Sequence, residues 1–238
     1  MHELEGVEEY NNAGALLGMD GLEGEELLGA LKRMNPIKRQ QTINKLASPG
    51  ITSKGSRGEM EKHFKELPLH IRQGIMKGEL RLADTVVYSI KPVTSKTVKM
   101  FETQDTKTIG LTNISNARLP KNQAMLVSGI TLLCGVSADT TPDKVMSTLY
   151  QGIENIPAIV TGELDLKANK KQIMPETSCY LWKTLNYNMV RQGYYKLHNP
   201  RLIHDDILIE LTLQLGTMQN IAPNTYVYAA LHGTITTP

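Results

Sequence analysis

Apolar and polar residues alternate most regularly over residues 207–215, which read I-L-I-E-L-T-L-Q-L. Ile207, Ile209, Leu211, Leu213 and Leu215 fall on one side of an extended chain, with Leu208, Glu210, Thr212 and Gln214 on the other. A helix would scatter these aliphatics around its surface, whereas a strand gathers them onto one buried face. A polar second face suits an antiparallel sheet with one side in water. The pattern predicts more strands around this one. Val86, Tyr88 and Ile90 alternate until Pro92, residues 97–103 are β-rich, and residues 109–114 read as another strand. Residues 125–136 are almost continuously apolar, as in a strand buried on both sides. Thr141-Pro142-Asp143 opens one helix with Val145 and Leu149 inside. Residues 157–168 read as extended, with Asn169-Lys170-Lys171-Gln172 turning the chain into a partner at Ile173. Residues 180–190 fit a strand or a short helix, and residues 194–203 and 226–236 complete the set.

The first third has a helical period instead. Residues 25–34 carry Leu27, Leu28 and Leu31 at helical spacing, and Asn35-Pro36 starts a second helix as N-cap and first turn. That helix carries Ile43, Leu46 and Ala47 on one side and stops at Ser48-Pro49-Gly50. After the linker S-K-G-S-R-G, residues 59–66 place Met60, Phe64 and Leu67 on one stripe. Pro68 then opens a fourth short helix, with Ile71 and Ile75 four apart, until Gly78. Helices this short are marginal in water and need another surface. The expected organisation is a charged, short-helix N-terminal arm over residues 1–79 and a mainly β domain over residues 80–238. Regularly spaced strands without helical crossovers predict an antiparallel β-sandwich or barrel rather than an α/β sheet. Strand number and domain size favour a jelly roll over an immunoglobulin-like sandwich.

Charge sharpens the division. Residues 1–31 hold eight acids and no Lys or Arg, whereas residues 32–77 hold eleven basic residues against three acids. The basic residues are Lys32, Arg33, Lys38, Arg39, Lys45, Lys54, Arg57, Lys62, Lys65, Arg72 and Lys77. They suit contact with nucleic-acid phosphates or anionic lipid head groups, or else form the solvated faces of amphipathic helices. Phe64 is the only aromatic residue among them, which argues against base stacking. No run of about twenty apolar residues occurs to span a membrane. The acidic start M-H-E-L-E-G-V-E-E-Y lacks the order of a signal peptide. Cys134 and Cys179 sit in apolar or aromatic stretches and read as buried free thiols made in a reducing compartment. The sequon Asn113-Ile114-Ser115 is then a chance match.

Catalytic patterns are missing. There is no G-x-S-x-G, H-E-x-x-H, cysteine cluster or dinucleotide fingerprint, and G-x-x-x-x-G-K-[ST] is absent. No cofactor, metal or small-molecule substrate is expected. His204-Asp205-Asp206 is the most suggestive cluster, but neighbours on a strand point to opposite faces, so it reads as a turn. His63 and His70 sit among basic helices, and His232 reads as a packed sheet histidine. Glu163 and Asp165 share a strand face and read as a charged exterior.

A charged, small-residue-rich arm before one β-sandwich resembles the coat proteins of icosahedral viruses. The closing order G-Y-Y-K-L-H-N-P-R-L-I, I-L-I-E-L-T-L-Q-L and Y-V-Y-A-A-L-H-G is similar to the last strands of jelly-roll virion proteins from tailless bacterial viruses. The hairpin G-E-L-D-L-K-A-N-K-K-Q-I adds to the likeness, which covers residues 80–238. The resemblance implies a non-enzymatic capsid building block, made in the host cytoplasm, whose partners are its own copies and other capsid proteins. One sandwich departs from double jelly-roll major coat proteins, leaving a single jelly-roll shell protein or a vertex (penton) protein. Two other classes make distinct expectations. A carbohydrate- or receptor-binding module requires an exposed aromatic cluster, for which Tyr194, Tyr195, Tyr226 and Tyr228 are the candidates. An enzyme requires convergent histidine and carboxylates at His204, Asp205 and Asp206.

Overall fold

Alternation at the closing strand meets its expectation. Ile209, Leu211, Leu213 and Leu215 are buried, while Glu210 and Thr212 are half-buried and Gln214 is exposed. The strand itself is Ile209–Gln214, and Ile207 lies before it, just after the turn at residues 205–206, and is only half-buried. The structure is a computed structural model that describes residue 60, residues 62–185 and residues 191–238. The two helices expected before residue 50, the linker, and Lys32, Arg33, Lys38, Arg39, Lys45, Lys54 and Arg57 lie outside the described residues. The chain divides into two units, one up to Arg81 together with Pro238, the other Leu82–Thr237.

In the first unit, Met60, Phe64 and Leu67 are all buried, as their spacing requires. Phe64–Glu66 is a 3-10 turn rather than the end of a longer α-helix. Pro68 is the N-cap of α1 (Leu69–Met76), which buries Ile71 and Gly74 and leaves Ile75 half-buried. Gly78 follows with φ 74°, a left-handed conformation that ends the helix without a Cβ penalty.

The second unit is mainly β. Its strands are β1 (Arg81–Pro92), β2 (Thr97–Lys99), β3 (Ala124–Val136), β4 (Gln151–Gly152), β5 (Glu163–Ala168), β6 (Lys171–Ser178), β7 (Tyr194–His204), β8 (Ile209–Gln214) and β9 (Thr225–Thr237). Pairing is antiparallel between the neighbouring strands β2 and β8, β3 and β4, β3 and β7, β3 and β9, β5 and β6, and β5 and β8. One sheet has the order β1-β9-β3, with β7 and β4 sharing the far edge of β3. The other has the order β2-β8-β5-β6. Leaving aside the two-residue β4, the neighbours form four nested pairs: β1 with β9, β2 with β8, β3 with β7, and β5 with β6. Asn169 and Lys170 close the innermost hairpin with φ values of 50° and 63°, the positive-φ pair of a two-residue turn that matches strand twist.

The inner faces of the two sheets meet in one core. Met125, Val127, Ile130, Leu132, Val227, Ala229 and Leu231 come from the first, and Leu164, Leu166, Leu211 and Leu213 from the second. Trp182 lies in the same core and donates its indole N–H to the carbonyl of Ile130 at 3.0 Å. Next to Val127 the register shifts: Ser128 is an extra residue against β9, whereas against β7 it is residues 197–200 of β7 that bulge. Gly233 lies opposite, and a Cβ there would stand 1.8 Å from the Leu126 carbonyl oxygen.

Several expectations are corrected. On β1, Val87 and Ser89 are buried, and Val86 and Tyr88 are half-buried on the other side. A second small cluster of Ile90, Val145 and Tyr226, with Leu111, Tyr150 and Tyr228 against it, gives that other side its apolar character. Residues 97–103 supply only the three residues of β2. Residues 109–114 are not a strand, and Ile109 is 87% exposed. They belong to a loop that seals the open edge of β1. The Asn113 amide accepts from Tyr88 N–H at 2.9 Å and donates to the Val86 carbonyl at 2.6 Å, as a paired residue would. Ile90 N–H donates to Leu111 O at 2.8 Å. Capping an edge this way prevents strand addition by another chain. Lys91 ties down the loop's start through Glu102 at 3.0 Å and Asp105 at 2.5 Å. Burial pulls its pKa down, but the hydrogen bonds and charges of those carboxylates outweigh this, leaving it raised. α2 (Pro142–Met146) is too short to carry Leu149, which is 74% exposed. The extended stretch expected from Pro157 begins as a helical turn, α3 (Pro157–Val160), because Pro suits a first helical turn. Cys179–Trp182 is a 3-10 turn, and residues 186–190 lie outside the described residues.

Candidate functional site

Of the candidate basic residues, Lys62, Lys65, Arg72 and Lys77 fall among the described residues, Arg72 within α1 and Lys77 as its C-cap. Lys62, Lys65 and Lys77 are exposed, as contact with an anion needs, whereas Arg72 is half-buried on α1. His63 is hydrogen-bonded to Glu66 at 3.0 Å.

His204-Asp205-Asp206 is a turn between β7 and β8. Asp206 has φ 61° and is exposed. Asp205 is buried and accepts from Asn122 N–H at 2.8 Å, while its own N–H donates to Gln123 O at 2.8 Å. The His204 Nδ1 lies 2.9 Å from the Asp205 carbonyl oxygen. Asp205 therefore fastens the loop before β3; its Oδ1 also lies 3.5 Å from His204 Nδ1, while Asp206 is exposed. Among the described residues, no group of three His, Cys, Asp or Glu side chains is arranged to hold a metal ion.

Glu163 and Asp165 part company. Glu163 is exposed, but Asp165 is only 3% exposed although it points outward from β5. Lys167 Nζ lies 2.8 Å from one of its oxygens, and Gln172 donates to the other at 2.9 Å. A same-strand lysine two residues on and a cross-strand glutamine have covered a carboxylate that alternation leaves in water. Cys134 and Cys179 are free and buried, and burial pushes each thiol up to about 12, which suppresses the reactive thiolate.

The four tyrosines do not form one exposed cluster. Tyr195 is paired with Ile130 and packs on Trp182 at 5.4 Å between ring centroids, toward the core. Tyr226 is 7% exposed. Tyr194 and Tyr228 do lie on the outer face of the five-stranded sheet, where β9 presents Tyr228, Ala230 and His232 in alternation. Tyr228 stacks on Tyr88 of β1 at 5.8 Å and 21°, and Tyr150 tilts against it at 6.1 Å. His232 shares a 2.7 Å hydrogen bond with Thr131 of β3 and receives the edge of the Tyr194 ring. An open depression of about 580 Å³ lies here, lined by Tyr88, Thr131, Tyr228 and His232 together with Arg191 and Gln192. Burial, then Arg191, pushes the His232 pKa down. Burial, then Tyr88, raises Tyr228, with Arg191 opposing. Both shifts register the same nearby guanidinium. Sequence reasoning found Tyr194, Tyr228 and His232 singly; Tyr88, Thr131, Arg191 and Gln192 carry no local signal, since only strand register brings them together.

No protein-family model matches this chain, and a search of curated proteins finds no match. Function therefore rests on the residues and their arrangement.

Proposed function

We propose that this chain is a structural virion protein that self-assembles into an icosahedral capsid. On this reading its two sheets form a jelly-roll sandwich, and the N-terminal arm contacts neighbouring subunits. The nested pairing carries the argument. If the eight longer strands are numbered in order, each sheet holds partners from the two ends of the series: first with last, second with seventh, third with sixth, fourth with fifth. A long two-stranded ribbon, rolled over so that successive pairs fall in alternate sheets, has this order. It is the jelly roll found in viral capsid and lectin domains.

A shell protein needs a stiff body, managed edges and a means of joining copies. The shared aliphatic core supports the first, and the Asn113 loop over β1 the second. The opposite charges of residues 1–31 and 32–77 support the third, because like segments of neighbouring copies attract when offset. Specific contacts bury roughly 1,200–2,000 Å² in total, more readily reached by an arm laid across a neighbour than by loops alone. Symmetric closure then makes a shell from repeated contacts. The basic residues face genome or internal membrane lipid in this account, and no step needs a catalytic group or cofactor. Coat and vertex roles both fit a single sandwich, beside other capsid proteins in the finished virion.

Electron microscopy of the purified whole chain tests the reading. Closed particles of uniform diameter, alone or with nucleic acid added, are expected. Only monomers and irregular aggregates, across low and high salt, would contradict it.

A further inference from the structure

The depression on the outer face of the five-stranded sheet has a chemistry that shell building does not use. One end is an aromatic platform, Tyr88 stacked on Tyr228. Around it stand the Tyr228 hydroxyl and the Gln192 amide, which can donate or accept hydrogen bonds, beside a His232 imidazole already bonded to the Thr131 hydroxyl. The charge is of one sign. Arg191 lines the depression, none of the eight lining residues is acidic, and Arg191 forms no ion pair among the described residues. Its volume, about 580 Å³, falls within the roughly 300–1,000 Å³ usual for small-molecule sites.

These features select a ligand. A purely apolar body would leave the Tyr228 hydroxyl, the Gln192 amide and the Arg191 guanidinium desolvated and unmatched, which is costly. A simple inorganic anion would use the guanidinium but not the ring platform. A sugar ring offers both an apolar C–H face for the tyrosines and hydroxyls for the groups around them. A carboxylate on that ring would meet Arg191 in the planar two-point geometry that guanidinium groups favour. We infer that this depression binds an acidic sugar residue of a glycan, with Arg191 holding its carboxylate and Tyr88 and Tyr228 supporting its ring. The site lies on one sheet face and does not depend on self-assembly.

Isothermal titration of the whole chain with glucuronate, galacturonate and N-acetylneuraminate tests this, with glucose, galactose and acetate as comparators. At least one acidic sugar should bind about tenfold or more tighter than both its neutral counterpart and acetate. Arg191→Gln should weaken that binding about tenfold or more, Arg191→Lys should weaken it less, and Tyr228→Phe should weaken it about threefold. Thermal unfolding of each variant reports whether it is folded, and the two Arg191 variants guard against one failing to fold. Binding by none of the three acidic sugars would overturn the inference. So would acetate binding as tightly as the best sugar, or wild-type affinity in folded Arg191→Gln.

Discussion

Strands β3 and β8 lie in different sheets and bury their residues differently. In β8 every second residue is buried and the others reach toward solvent. In β3, nine consecutive residues from Ala124 are buried, including Leu126 and Thr131 on the face turned away from the shared core. The four-stranded sheet thus has an inside and an outside, whereas the five-stranded sheet has two covered faces along much of its central strand. The difference teaches where mutation is tolerated. It also shows where a ligand or partner would find a specific surface, since the outer face of the five-stranded sheet carries the ring cluster of Tyr88, Tyr150 and Tyr228.

Leucine truncation gives the largest effect that breaks this comparison. Leu126→Ala, on the outer face of β3, should cost about 3 kcal/mol, as much as Leu211→Ala in the common core. Thr212→Ala, on the outer face of β8, should change stability by less than about 0.5 kcal/mol. Urea unfolding measures all three, and a near-neutral Leu126→Ala would remove the distinction between the sheets. The next effect is at the edge of the five-stranded sheet. Asn113→Ala deletes two hydrogen bonds to the β1 backbone and should cost about 2 kcal/mol, with faster aggregation seen by turbidity. An unchanged aggregation rate would mean that the loop's backbone alone seals β1.

The smallest effect is a pH dependence peculiar to the covered face. His232 has its pKa lowered from 6.5 by burial and then by Arg191, with Thr131 and Tyr194 as its other close neighbours. Above 6.5 the imidazole is neutral in both states and its contribution to stability is complete. As pH falls from there toward the lower folded-state value, the unfolded chain takes up the proton first and stability is lost. His232→Asn should flatten the stability profile in that window, as followed by thermal unfolding at successive pH values. An identical profile in the variant would assign the acid sensitivity to other groups.

Much of this architecture was legible because one-sided burial leaves a period in the sequence. β8 could be read residue by residue, and β3 could be read as doubly buried because even its outward positions, such as Leu126, are apolar. Tertiary context overrode local pattern elsewhere. Residues 109–114 have strand-like composition, yet their partner is an edge, and Asn113 completes the pairing with a side chain. Asp165 looked solvated because, although Lys167 is its same-face neighbour on β5, Gln172 of β6 becomes adjacent only through strand register. The depression was partly visible in Tyr194, Tyr228 and His232. Its remaining members, from Tyr88 to Gln192, are far apart in the chain and converge only when β1, β3, β9 and the start of β7 lie side by side.

Self-assembly of a rolled β ribbon with a charged arm is the central claim, and mass in solution tests it most directly. Light scattering should be recorded for the whole chain and for a version beginning at Leu80, across a range of salt. The account predicts closed assemblies many times the 26.4 kDa of one chain, lost when the arm is removed. Monomers from both versions at every salt concentration would contradict it.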